Sequence, residues 1–201
     1  MKRRPPLPFV VFALMVFCAA GCVRTASTRF YTLSALSDSK DRIPKIVDNS
    51  AVGIGPVNLP DYLDRPQIVV RKSPHELHLA ELDKWAGTLK YAIPRVIAEN
   101  LSTLLASDHI FVFPWKSNLS IRYQVVIDII RFDAQLGAHA DLEAQWTIFE
   151  NTGRTPVVTR KSTLRRSATG GDYAALVQAE SELLSELSGE IADAIVKIER
   201  L

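Results

Sequence analysis

Apolar and polar positions alternate with a period of two along much of this chain, and two longer stretches break the alternation with helical spacing. The sharpest alternation covers residues 140–149. There Leu142, Ala144, Trp146 and Ile148 point one way and Asp141, Glu143, Gln145 and Thr147 the other, which predicts a strand with one face in the core and one in water. Strands are also predicted over residues 30–36, 51–57, 67–72, 76–82, 109–113, 123–132 and 157–166. Asn151-Thr152-Gly153 and Ser73-Pro74 mark turns between paired strands, and residues 37–45, charged and broken by Pro44, read as a loop. Gly53 and Gly55 alternate with Val52 and Ile54, leaving room for another backbone or a helix to come close.

The first helical stretch is predicted over residues 83–107, from the spacing of Leu89, Ile93, Val96, Ile97, Leu101 and Leu104. Pro94 falls inside it, so a kink or a late start is expected there. The second spans residues 172–200, with Tyr173, Leu176, Val177, Leu184, Leu187, Ile191, Ala194 and Ile198 on one stripe. Its end has the spacing of a coiled-coil seam, but two heptads are too few to make one, and packing on the core is the expectation. Strand runs interrupted by only two helices predict an α+β two-layer sandwich. It would hold one mixed, largely antiparallel sheet with both long helices on one face.

The first residues change the picture. Lys2, Arg3 and Arg4 precede an apolar run over residues 7–20, too short to span a bilayer comfortably, which reads as an export signal. Ala19-Ala20-Gly21-Cys22, followed by a polar tract, resembles the lipobox of bacterial lipoproteins, with Ala19 where leucine is more frequent. That resemblance implies cleavage before Cys22 and acylation of its thiol. An ordinary cleaved signal with an incidental cysteine is the competing reading. The resulting division is a signal over residues 1–21, a lipidated tether over 22–28 and a single domain over 29–201. Each buried methylene contributes about 0.8 kcal/mol, and two or more acyl chains anchor a protein stably where one does not.

Cys18 leaves with the signal, so Cys22 is left as a lone cysteine and a disulfide framework is excluded. The fold must rest on its own core. The formal charge of +2 invites a nucleic-acid reading, but without Lys2, Arg3 and Arg4 the remainder holds 21 basic and 22 acidic residues. No general pull on phosphate backbones remains.

Catalytic motifs are absent. Gly53-Ile54-Gly55 lacks a third glycine and runs into Pro56, so no dinucleotide loop is expected, and the four histidines form no HExxH pair. His75 and His78, three apart on a strand, point to opposite faces and suit solvated positions better than a metal; no metal or cofactor is expected. Asp61 and Asp64 suit a turn better than acid/base work. Arg160, Lys161, Arg165 and Arg166 form a basic patch with two open readings, lipid phosphate binding or protection of an edge strand.

Several segments, taken in order, carry a more specific likeness: Arg29-Phe30-Tyr31-Thr32-Leu33, Val52-Gly53-Ile54-Gly55-Pro56-Val57, and Leu59-Pro60-Asp61-Tyr62-Leu63-Asp64-Arg65-Pro66-Gln67-Ile68-Val69. Trp85-Ala86, Ala98-Glu99-Asn100-Leu101, Phe113-Pro114-Trp115 and Arg131-Phe132-Asp133 continue it. Together they resemble the PqiC-like (YmbA-like) family, auxiliary lipoproteins of ABC-type transport systems that carry MCE proteins. Gly87-Thr88-Leu89 departs from the family's usual Glu-Pro-Leu.

The resemblance implies a non-catalytic auxiliary subunit of an intermembrane phospholipid transport system. It would sit at the outer membrane facing the periplasm, touch an MCE-domain protein, and assemble as a homo-oligomeric ring, with phospholipid itself a candidate ligand. Val23, not aspartate, after the acylated cysteine fits sorting to the outer membrane. Pro60, Tyr62, Leu63, Asp64, Arg65 and Pro66 are the candidate partner-binding residues, because Tyr62 and Leu63 are unusual at an exposed turn unless the core or a partner buries them. The competing functions are a periplasmic envelope hydrolase whose residues converge only in three dimensions, and a lipoprotein assembly or adhesion factor without a transport role.

Overall fold

The chain is built on one long strand with three neighbours. In the computed structural model, which describes residues 26–36, 50–116, 118–150 and 155–200, that strand is β6 (Tyr123–Gln135). It pairs antiparallel along its length with β7 (His139–Glu150), which pairs in turn with the edge strand β8 (Thr155–Ser167). On its other side β6 is shared. Its first half runs parallel to β2 (Val52–Asn58), and Ala134, near its end, meets Val70 of β3 (Gln67–Ser73). The sheet therefore forks. One wing adds β5 (Ile110–Val112) to β2; the other adds β4 (Glu76–Trp85) and then β1 (Arg29–Tyr31) to β3.

Two helices cover one face of this eight-stranded sheet, the expected two-layer α+β arrangement: α1 (Leu89–Leu105) and α2 (Tyr173–Glu199). The parallel pairings are short, and the long antiparallel ladders of β6, β7 and β8 carry most of the bonding. Period two then sorts the side chains. Tyr123, Val125, Ile127 and Ile129 face the helices; a bulge at Ile130 shifts the phase, so that Phe132 and Ala134 continue the inward row. Leu142, Ala144, Trp146 and Ile148 of β7 lie beside them, as their alternation predicts. From above, α1 sets its buried Ile93, Ile97 and Leu101 over β2 and β5, and α2 sets Leu176, Leu184, Leu187 and Ile191 over β6, β7 and β8. Burying one such side chain is worth about 1.5–3 kcal/mol.

Two elements differ from expectation. The strand predicted over residues 30–36 ends at Tyr31, because the chain then leaves the sheet for the helices. Leu33 is buried there, and the Leu36 amide donates to Asn100 Oδ1 of α1 at 2.7 Å. Asn100, fully buried, also donates to Ser188 Oγ of α2 at 3.2 Å, so one amide side chain ties three segments together. The helix predicted from Asp83 begins at Leu89 instead. Asp83 and Trp85 belong to β4, where Asp83 accepts from Arg29 and Tyr31 and the Trp85 amide donates to Pro66 O at 2.7 Å. The start is thus late, with Pro94 in the second turn, where only the Lys90 carbonyl loses its helical donor.

Gly53 and Gly55 do admit close neighbours, and the nearest are side chains, those of Trp115 and Ile121 at Gly53 and that of Phe113 at Gly55. A Cβ at Gly53 would lie 2.7 Å from Trp115 Cζ3, and one at Gly55, whose φ is +119°, would lie 2.8 Å from Phe113 Cβ.

Candidate functional site

The sheet face turned away from the helices carries charge. Asp133 of β6 stands opposite Asp141 of β7, and Asp141 stands opposite Arg165 of β8. Two carboxylates side by side repel, and three guanidiniums offset them. Arg71 of β3 grips Asp133 with Nε at 2.9 Å and Nη2 at 2.6 Å. Arg131 bridges the pair, with Nε 2.9 Å from Asp133 Oδ1 and Nη2 2.8 Å from Asp141 Oδ2. Arg165 Nε donates to Asp141 Oδ1 at 2.6 Å. Charges therefore alternate in one row, Arg71, Asp133, Arg131, Asp141, Arg165, across four strands.

Burial pushes the Asp133 carboxyl up, but hydrogen bonds from Arg71 and Arg131 outweigh it and hold the group below the usual carboxylate range. The bond that Arg71 donates to Asp133 raises the Arg71 guanidinium, and the one that Arg165 donates to Asp141 raises Arg165. Tyr62 adds its hydroxyl to Asp133 Oδ2 at 3.2 Å, and burial raises its pKa.

A cleft of about 560 Å³ opens over this row, between the β3–β4 and β6–β7 turns. Arg71, Lys72, Arg131, His139, Asp141 and Arg165 line it. Lys72 is exposed and has no partner among the described residues. With Asp133 in the floor, four permanent cations meet two carboxylates. Ser73 also lines the cleft, and His139 Nε2 lies 3.4 Å from Asp141 Oδ2. The Ser73 hydroxyl accepts from the His75 amide, and no hydrogen bond joins it to His139 among the described residues.

The partner-binding candidates of residues 60–66 fill the fork where β2 and β3 part. Asp61–Leu63 form one 3-10 turn, with the Leu63 amide donating to Pro60 O at 2.9 Å and the Asp64 amide to Asp61 O at 3.2 Å. The molecule's own core accounts for the apolar pair. Leu63 is 2 % exposed, and Tyr62 is half-buried with its hydroxyl on Asp133. Asp61, Asp64 and Pro66 face outward; Pro60 and Arg65 are partly covered. Cys22 lies outside the described residues. His75 and His78 are both exposed, and no group of three metal-ligating side chains converges among the described residues.

The basic patch read in the sequence is divided by the pleat. Arg160 lies over the Trp146 ring and Arg166 pairs with Glu186, both on the helix side. Lys161 pairs with Glu143 and Arg165 with Asp141 on the open side. β8 is indeed an edge strand. Sequence reasoning missed the row itself, whose partners stand up to 62 residues apart; the Arg131-Phe132-Asp133 alternation was its one local signal.

Segments that carried the family resemblance meet here. Tyr62 reaches Asp133 across 71 residues, and Trp115 packs on Gly53. The pattern of the family "ABC-type transport auxiliary lipoprotein component" matches residues 31–192. The chain belongs to that family. The match takes in the fork, the charged row and most of α2 of this auxiliary lipoprotein. Among solved structures, one described as an uncharacterized protein aligns with a TM-score of 0.69 at 18 % identity, covering 85 % of this chain and 99 % of the other. A Xanthomonas campestris protein of the DUF330 family aligns with a TM-score of 0.68 at 17 % identity, covering 84 % and 95 %. At such identities the likeness concerns the fold. No curated protein matches the auxiliary lipoprotein.

Proposed function

We propose that this auxiliary lipoprotein is a non-catalytic subunit of an MCE-containing ABC-type system that moves phospholipid between membranes. The observation that carries the reading is the family match across residues 31–192. In this reading a signal over residues 1–21 is removed, Cys22 is acylated, residues 22–28 form the tether, and the domain from residue 29 faces the periplasm at the outer membrane. Val23 supports that sorting. No described helix is long and apolar enough to cross a membrane, so acyl chains on Cys22 are the attachment this reading requires. Several copies form a homo-oligomeric ring that touches the MCE partner. In the cleft the carboxylates are held by arginines, an arrangement that supports binding and not bond cleavage. Because the core uses Tyr62 and Leu63, contact with the partner falls to the outward Asp61, Asp64 and Pro66.

Affinity purification of the full-length chain from membranes tests the reading. An MCE protein should co-purify, and Asp61→Lys with Asp64→Lys should reduce its recovery while the melting temperature is kept. Recovery of no MCE protein overturns the transport assignment. Radiolabelled fatty acid should attach to the wild type and not to Cys22→Ser; attachment to neither overturns the anchor.

A further inference from the structure

We infer that the cleft over the Arg71–Arg165 row binds a phosphate group, that of a glycerophosphodiester headgroup or of free phosphate. For the lipid source alone, the inference rests on the transport reading. Three observations carry it. Positive charge is in excess at the cleft, since Arg71, Lys72, Arg131 and Arg165 face only Asp133 and Asp141. Next, the guanidiniums are pre-positioned. Asp133 and Asp141 hold Arg131 from two sides, and Asp141 takes only Nε of Arg165, whose terminal nitrogens stay available on a side chain 63 % exposed. Anchored donors lose little freedom when an anion arrives.

The third observation is direction. Lys72 comes from β3, Arg131 from β6 and Arg165 from β8, so donors approach from opposite walls of a cleft of about 560 Å³. A planar carboxylate is satisfied by one guanidinium fork, whereas a tetrahedral phosphate with several acceptor oxygens uses donors from several sides. The volume lies within the range of about 300–1,000 Å³ typical of small-molecule sites.

Titration calorimetry on the full-length chain, held in a phosphate-free maltoside detergent, tests the site. The probes are inorganic phosphate, glycerophosphoglycerol and N-acetylglutamate amide. Saturable binding of a phosphate probe at one site is expected, with Lys72→Gln and Arg165→Gln each weakening it about tenfold, as removal of one charged hydrogen bond does. Both side chains are exposed, and Asp141 keeps Arg131 as its partner when Arg165 is replaced, so melting temperatures should stay near wild type. Arg165→Lys, which keeps the charge but loses the fork, should fall between.

Glycerophosphoglycerol binding about tenfold tighter than inorganic phosphate identifies a lipid headgroup as the source; the reverse order identifies free phosphate, and either upholds the site. No saturable binding, binding untouched by both substitutions, or N-acetylglutamate amide matching the better phosphate probe overturns it. In the last case the cleft is a dock for acidic protein side chains. A chain that binds phosphate but recovers no MCE protein keeps the site and loses the transport reading; the converse result loses only the site.

Discussion

The two faces of the sheet are held by different physics. On the helix side, Trp146, Tyr123 and Phe132 are sealed against α2 and its neighbours, and adhesion there is non-directional. On the open side, cohesion comes from named pairs that must meet at particular angles: Arg71 on Asp133, Arg131 between two carboxylates, Lys161 on Glu143. A side chain on the first face can be exchanged for another of like volume. On the second, removal of one member strands its partner, so that face can specify a ligand where the first only specifies a fold.

The contrast can be broken most sharply from the apolar side. Trp146→Ala should cost about 3–5 kcal/mol, read by urea denaturation. The loss combines a cavity with the bond from Trp146 Nε1 to Ser162 Oγ, 2.8 Å long. Asp133→Asn should cost about 2–3 kcal/mol at neutral pH, because Arg71 and Arg131 lose a charged acceptor. It should also reveal itself in acid. The Asp133 carboxyl is held below its unfolded value of 3.8, so its contribution is present above that pH and is lost as pH falls through the folded value. The wild type should therefore approach the variant's stability as acid is added; a constant gap down to the lowest pH would count against the pair.

Glu180 sharpens the comparison by violating it. It is a carboxyl on the helix side, fully buried, with Oε2 lacking any hydrogen-bond partner, and burial raises its pKa well above 4.5. Below 4.5 the group is neutral in both states and costs nothing through ionisation; above it the unfolded chain gains a solvated charge that the folded one cannot match. Glu180→Met should thus stabilise at pH 7 by about 1–3 kcal/mol, and the gain should shrink as pH falls to 4.5. Last, Lys161→Ala, which opens an exposed pair with Glu143, should change stability by about 0.2–1 kcal/mol.

What could be read beforehand follows the same division. Hydrophobic period located β2, β3, β6, β7, β8 and α2 to within a few residues, because burial on one face imprints itself on neighbours in sequence. The helix α1 starts later than the apolar spacing predicts, because Asp83 accepts from Arg29 and Tyr31 on a strand 52 to 54 residues away and stays in β4, a long-range bond that leaves no mark on the local pattern. The charged cleft was invisible for that reason. Arg71 and Asp133 each look like an ordinary surface charge, and Arg165 like one member of a basic patch on its own strand, until the register of four strands places them in line. Tyr62 shows the intermediate case: its oddness at a turn was legible, and the core that explains it was not.

β1 has a mechanical consequence. The chain enters the fold through three residues, clamped where Arg29 and Tyr31 bond Asp83 and where the Tyr31 carbonyl takes the Ala86 amide at 2.8 Å. A tug transmitted from the amino-terminal side reaches that clip before it reaches any long ladder. Should the clip yield, the seven remaining strands keep their mutual pairing, so the fold has a fuse where the chain enters it, with four strands between that fuse and the cleft's outer wall on β8.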